Sequence, residues 1–288
     1  MTQDLHRQSL EHMRQRAEKI ARLETVAPGT DDRLGLYDRR NDKDSCGVGF
    51  IANMKGVKSH QIVADGLTML CNLTHRGAVG ADPKAGDGAG ILTQIPHVLF
   101  ADWAEEVGIS LPDPGYYGVG HIFLPRDPAL AARIEELMGE ICEEEGQVLL
   151  GWRDVPVDNS DLGESVKATE PVQRQVFIGR GQKIASEDHF ERKLYICRKE
   201  LSNRTLALGV EGVRSMYVTS MSCRTITYKG IFLAEQLGTY YKDLTDERYT
   251  SALALIHQRF ATNTFPQWNL AHPYRMVAHN GEINTLRG

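Results

Sequence analysis

The chain has 288 residues and a mass of 32.2 kDa; 41% of its residues are hydrophobic and 25% charged, which suffices for a large core in one large domain or two small ones. A net charge of −5 and a pI of about 6.1 give no electrostatic case for nucleic acid or an anionic membrane surface, so neither is expected as a partner. The five scattered cysteines form no C-x-x-C pair, which argues against a disulfide framework or a structural zinc site and fits a reducing, cytoplasmic setting. All of them except Cys46 read as packing residues. There is no apolar run of membrane-spanning length, and the first residues lack the apolar core of a signal peptide.

Residues 3–24 carry Leu5, Met13, Ile20 and Leu23 among many charges, the pattern of a solvated helix, which Pro28-Gly29 breaks. The polar stretch Asp38 to Asp44 reads as exposed, as a cleavage site requires. Cys46 to Ala52 predicts a buried strand with Gly at alternate positions, Asn53 to Gly56 a turn, and His60 to Leu73 an amphipathic helix that delivers His75-Arg76 at its end. Further strands are expected over Ala89–Ile95 and Tyr116–Leu124, with a short helix over Val98–Val107 between them. Asp127-Pro128 has the form of an N-cap and first helical residue, opening a helix to Glu145 that Gly146 closes. Its last turn, Glu143-Glu144-Glu145, reads as a solvated helix end and not as a metal cluster, because consecutive helical residues fan around the axis.

Gln147–Trp152 and Gln173–Gly179 are strand candidates around a polar loop, and Ser186-Glu187-Asp188 opens a helix to Leu201. Met216 to Tyr228 reads as one long strand or a pair, Phe232–Leu237 as helical, and Leu253–Phe260 as an apolar strand. Strands in pairs separated by helices, without regular βαβ alternation, indicate an α+β or layered fold.

Cys46 heads the run Ser45-Cys46-Gly47-Val48-Gly49-Phe50 with 45 residues before it. If the peptide bond before it is cut, one residue carries a nucleophile and a free amine. A thiol of pKa about 8.5 needs a base, and an α-amine of pKa about 7.7–8.0 is well matched to that task. Alone, such a cysteine reads as readily as a small core hydrophobe. Its company is Thr74-His75-Arg76-Gly77-Ala78, Gly86-Asp87-Gly88-Ala89-Gly90, His257-Gln258-Arg259-Phe260-Ala261-Thr262-Asn263-Thr264 and His279-Asn280-Gly281-Glu282-Ile283-Asn284.

Together these resemble the class II glutamine amidotransferases, from Cys46 to the last residue, and most closely the domain that opens the large subunit of glutamate synthases. Phe265-Pro266-Gln267-Trp268 and the long leader carry the second comparison. The resemblance implies a four-layer αββα sandwich of the N-terminal-nucleophile hydrolase type, with two antiparallel sheets face to face. It also implies a leader, residues 1–45, removed to expose Cys46, and an amidotransferase domain over 46–288 that is incomplete at its C-terminal end.

Carried onto this sequence, Cys46 supplies the nucleophile and its amine the proton relay; the Asn280 side chain and the Gly281 N–H are the oxyanion donors. Arg259 holds the α-carboxylate of L-glutamine, Thr262 lines the same pocket, and Arg76 orients the free amine. Taken without their neighbours, Asn280-Gly281 reads as a hairpin turn and Arg259 as a surface ion pair. The Gly86–Gly90 run lacks the lysine of a phosphate loop and reads as a place where strands and loops pack close to the cysteine. No cofactor or metal is expected in this segment. FMN, a 3Fe-4S cluster, the remaining large-subunit domains and a small electron-donating subunit belong to the full-length enzyme, where ammonia reaches 2-oxoglutarate. The competing readings are an unprocessed, non-catalytic scaffold of the same fold and an N-terminal-nucleophile hydrolase acting on another amide.

Overall fold

The computed structural model describes residues 47–74, 82–258 and 266–278, all within the second of the two units, 1–43 and 44–288, into which the chain divides. Its strands are β1 (Gly47–Ala52), β2 (Ala89–Gln94), β3 (Tyr117–Leu124), β4 (Val148–Asp154), β5 (Val172–Gly179), β6 (Tyr217–Ser222), β7 (Thr225–Gly230) and β8 (Leu253–Gln258). Its helices are α1 (His60–Asn72), α2 (His97–Glu106), α3 (Pro128–Glu144), α4 (Glu164–Lys167), α5 (Glu187–Ala207) and α6 (Gln236–Tyr240). The strands form two sheets, in the orders β1-β8-β2-β7 and β4-β5-β3-β6, with antiparallel pairing throughout. Sheets of this kind with helices packed against them make an α+β sandwich, as expected.

β3 is buried along its whole length, so its sequence is nearly continuous in apolar residues and feeds two cores. Val119 and Phe123 point with Phe177 into the core shared by α1, α2 and the residues Ile91, Tyr228 and Ile256 of the first sheet. Ile122 and Leu124 point with Val176 and Ile178 the other way, against Ile134, Met138 and Ile141 of α3 and Phe190, Leu194 and Leu201 of α5. The stretch expected as one strand or two is a pair whose arms part: β6 joins β3 and β7 joins β2. Ser222 makes the break by accepting from Arg224 N and Thr225 N at 3.0 and 3.2 Å.

Several expectations are corrected. α5 runs six residues past Leu201, because Leu201 and Thr205 continue its buried stripe and Arg204 pairs with Glu144 and Glu200. The helix expected from Phe232 forms only over Gln236–Tyr240. Upstream, Leu233 N donates to the Gln236 side chain and the Phe232 carbonyl abuts Gly86, where a Cβ would lie 2.1 Å from that oxygen. α4 interrupts a stretch read as loop. Cys142, Cys197 and Cys223 are buried as packing residues should be, but Cys71 is exposed. In the acidic turn, Glu144 pairs with Arg204 and Glu145 with Lys193 on α5, so it is a helix–helix contact. The helix expected over 3–24 and the end of the last strand lie outside the described residues. Among the described residues no helix is long and apolar enough to cross a membrane.

Candidate active site

Cys46, Arg76, Arg259, Thr262, Asn280 and Gly281 all lie outside the described residues. The frame on either side of them is described. β1 begins at Gly47, the residue after Cys46, and Gly47 pairs with Gln258, the residue before Arg259. Gln258 also pairs with Ala89 and Ala89 with Gly230, so the first sheet ends in the row Gly47, Gln258, Ala89, Gly230.

Glycines along this edge let helix α1 lie close on β1: a Cβ on Gly49 would sit 2.5 Å from Met69 Sδ, and one on Gly47 would sit 3.0 Å from Leu73 Cδ1, so a side chain at either place would push these residues of α1 aside. Leu73, which ends α1, thus touches the first residue of β1, and the chain then runs to His75-Arg76. Three of the sequence motifs are therefore flanked by residues that converge at one end of one sheet. Gln258 is 1% exposed there, and its Oε1 has no hydrogen-bond partner among the described residues.

The fourth motif, His279-Asn280-Gly281, follows the segment 266–278, which crosses the same end. Trp268 packs among Phe123, Phe232 and Tyr240 over Gly230, where a Cβ would lie 2.5 Å from the indole. One residue along β2 from the row, Gly90 meets the His272 carbonyl so closely that a Cβ would lie 2.3 Å from it. The run Gly86–Gly90 is thus a place of close packing, as read; the cysteine it was expected to lie near is outside the described residues. The His272 ring stacks on His257 at 4.6 Å between centroids. Lys229, opposite Gly90 in the ladder, is fully buried; its Nζ donates to the Asn269 carbonyl at 2.9 Å and lies 4.7 and 4.4 Å from the rings of Tyr217 and Tyr274. Burial pushes the pKa of this ammonium well below its ordinary value.

Lys229 and His272 carry no role in the sequence reading. A lysine in a strand reads as solvent-facing, and the one available signal was its place among Thr225, Ile226, Thr227 and Tyr228, residues that suit a buried strand. A cavity of about 230 Å³ lies at the opposite end of the first sheet, between Gln94, His97, Tyr117, Glu187 and Arg224. It is separate from the edge to which the motifs lead.

The model of the class II glutamine amidotransferases matches residues 46–288, so the chain belongs to that family of enzymes, whose fold is that of the N-terminal-nucleophile hydrolases. Among its relatives are the glutamate synthase [NADPH] large chain of Bacillus subtilis, 46% identical over 254 residues, and the chloroplastic ferredoxin-dependent glutamate synthase 2 of Arabidopsis thaliana, 46% identical over 253. The glutamate synthase [NADH] of Schizosaccharomyces pombe is 42% identical over 258 residues. Each alignment covers 88% of this chain but only 16%, 15% and 12% of the respective relative.

Proposed function

We propose that the chain is the glutaminase unit of a glutamate synthase large chain, cleaving L-glutamine to glutamate and ammonia. The observation that carries this reading is the Gly47–Gln258 pair, which seats the residues following Cys46 and preceding Arg259 side by side within a family match that begins at Cys46. Removal of residues 1–45 frees the Cys46 amine, which takes the thiol proton. The thiolate attacks the γ-carboxamide carbon, and Asn280 and Gly281 N–H groups donate to the oxyanion. The C–N bond then breaks, ammonia leaves with the proton held by the amine, and water hydrolyses the thioester to glutamate. Arg259 and Thr262 hold the amino-acid end of the substrate, the guanidinium fork matching the carboxylate, and Arg76 orients the amine.

Ammonia then passes to 2-oxoglutarate elsewhere in the full-length enzyme, with reducing equivalents from a small electron-donating subunit. The FMN and 3Fe-4S cluster of that enzyme find no ligand set among the described residues: one described cysteine is exposed and three are buried, and no three His, Cys, Asp or Glu side chains converge. We assign both to other parts of the full-length enzyme. In the full chain, Cys46→Ala should abolish glutamine hydrolysis, and N-terminal sequencing should find Cys46 first. A persistent Met1 with no turnover would support a scaffold, and hydrolysis of a different amide in a substrate panel would move the assignment within the fold.

A further inference from the structure

We propose that Gly90, Lys229 and Arg275 position the segment 266–278 and, through it, the oxyanion donors Asn280 and Gly281; the proposal rests on the glutaminase reading above. The segment ends two residues before Asn280, and each of the three residues holds it by a different contact. Gly90 admits the His272 carbonyl to within a distance no side chain would allow. Lys229 donates to the Asn269 carbonyl and is flanked by Tyr274 of the same segment. Arg275 leaves the segment to donate to the Met221 carbonyl of β6 at 3.0 Å and to Glu191 of α5 at 3.3 Å. The segment is thereby tied to both sheets, and its own end is closed where Tyr274 N donates to the Val277 carbonyl at 2.9 Å.

This amount of fixing has a chemical reason. Oxyanion donors act because they are already aimed before charge develops, and they lose effect steeply when displaced. Lys229 is an expensive anchor on packing grounds alone, since burial disfavours its charged form and an apolar side chain of like length would fill the same space. What methionine could not supply is the donor to Asn269.

The test uses the full chain with Lys229→Met, Arg275→Gln and Gly90→Ala, measuring glutamine turnover, binding of the γ-aldehyde analogue of glutamine, alkylation of Cys46 by iodoacetamide, and thermal unfolding. The aldehyde adds the Cys46 thiol to its carbonyl and presents a tetrahedral oxygen to the donors; alkylation displaces iodide and forms no oxyanion. Each variant should lower kcat by about 10-fold to 100-fold, the range expected for a displacement of up to about 1 Å, with KM for glutamine within about 2-fold. Aldehyde affinity should fall in parallel, the alkylation rate should hold, and Lys229→Met should unfold at no lower temperature than the parent. Unchanged kcat in all three variants beside an inactive Cys46→Ala would overturn the positioning role alone. So would kcat, alkylation and unfolding temperature falling together, which is what a merely structural role gives. Full turnover in Cys46→Ala would overturn the glutaminase reading itself.

Discussion

The core shared by the two sheets is built from aromatic rings around a buried polar network, whereas the one beneath α3 and α5 is filled by aliphatic and sulfur-bearing side chains around Phe190. In the first, Arg153 meets Asp243 through two hydrogen bonds of 2.8 and 2.7 Å, Tyr228 donates to the same carboxylate at 2.7 Å, and Gln175 joins Tyr228 and Arg153. His121 sits beside them between the Gln173 side chain and the Thr227 carbonyl. The helices differ in the same sense: α3 and α5 are capped by Asp127 and Ser186, while α1 and α2 begin without a side-chain cap. An apolar core tolerates small slips of its layers, but directional bonds among Arg153, Asp243, Tyr228 and Gln175 fix the register of β4, β5 and β7 against one another. The region that leads to the proposed site is thus held by geometry, and its counterpart by volume and local helix stability.

The largest expected break in that contrast comes from Asp243→Ala. It leaves the Arg153 guanidinium buried without its carboxylate and should cost about 3–5 kcal/mol in denaturant unfolding, because an unpaired buried charge keeps its desolvation penalty. Replacing Arg153 and Asp243 together by apolar residues of similar volume should recover most of that loss. Leu194→Ala in the other core should cost about 3 kcal/mol through lost burial and a cavity, with no comparable rescue by a second substitution. A loss under about 1 kcal/mol for Asp243→Ala would mean that water reaches Arg153 and that the network does not hold the sheets.

The polar core should also respond to acid where the aliphatic one does not. Burial lowers the His121 pKa to about 4, against hydrogen bonds to the Gln173 Oε1 and the Thr227 carbonyl and the nearby Asp243 that raise it, while Arg153 adds to the lowering. The unfolded histidine titrates near 6.5, so between about 6.5 and 4 the unfolded chain binds more protons than the fold. Stability should therefore fall as pH drops through that window, by up to about 1.4 kcal/mol per pH unit from this residue. Unfolding curves of the parent and of His121→Gln at pH 7, 6 and 5 should diverge, the variant losing that share of the slope; parallel curves would remove His121 from the account.

What could be read in the sequence follows the range of the forces involved. The Asp127-Pro128 start of α3 was legible because a cap and a first-turn proline act within four residues, and the Asp127 carboxylate does accept from Ala129 N and Leu130 N at 2.8 and 2.9 Å. The glycines of the 86–90 run were legible as places of close packing, since lacking a Cβ has one common structural use outside turns. The parting of β6 and β7 into different sheets was not, because their partners β3 and β2 are chosen by long-range pairing. Nor was Lys229: its acceptor is 40 residues away, and no local pattern announces it. The site motifs were legible as a set, and the structure adds the shared edge to which Gly47, Leu73, Ala89 and Gln258 belong.

The smallest effect separates local from tertiary support in the two sets of helices. Asp127→Ala removes two accepted hydrogen bonds from the first turn of α3 and should lower stability by about 1 kcal/mol. Ser59 holds the equivalent place before α1, but its side chain caps nothing; its backbone instead exchanges hydrogen bonds with Ser251 at 3.0 and 3.2 Å. Ser59→Ala leaves those bonds in place and should shift stability by no more than a few tenths of a kcal/mol. Denaturant midpoints for the two variants at constant slope give the comparison directly. If Ser59→Ala costs as much as Asp127→Ala, then α1 relies on its own N-terminus after all, and the close seating of Met69 and Leu73 on the glycines of β1 is not what holds it.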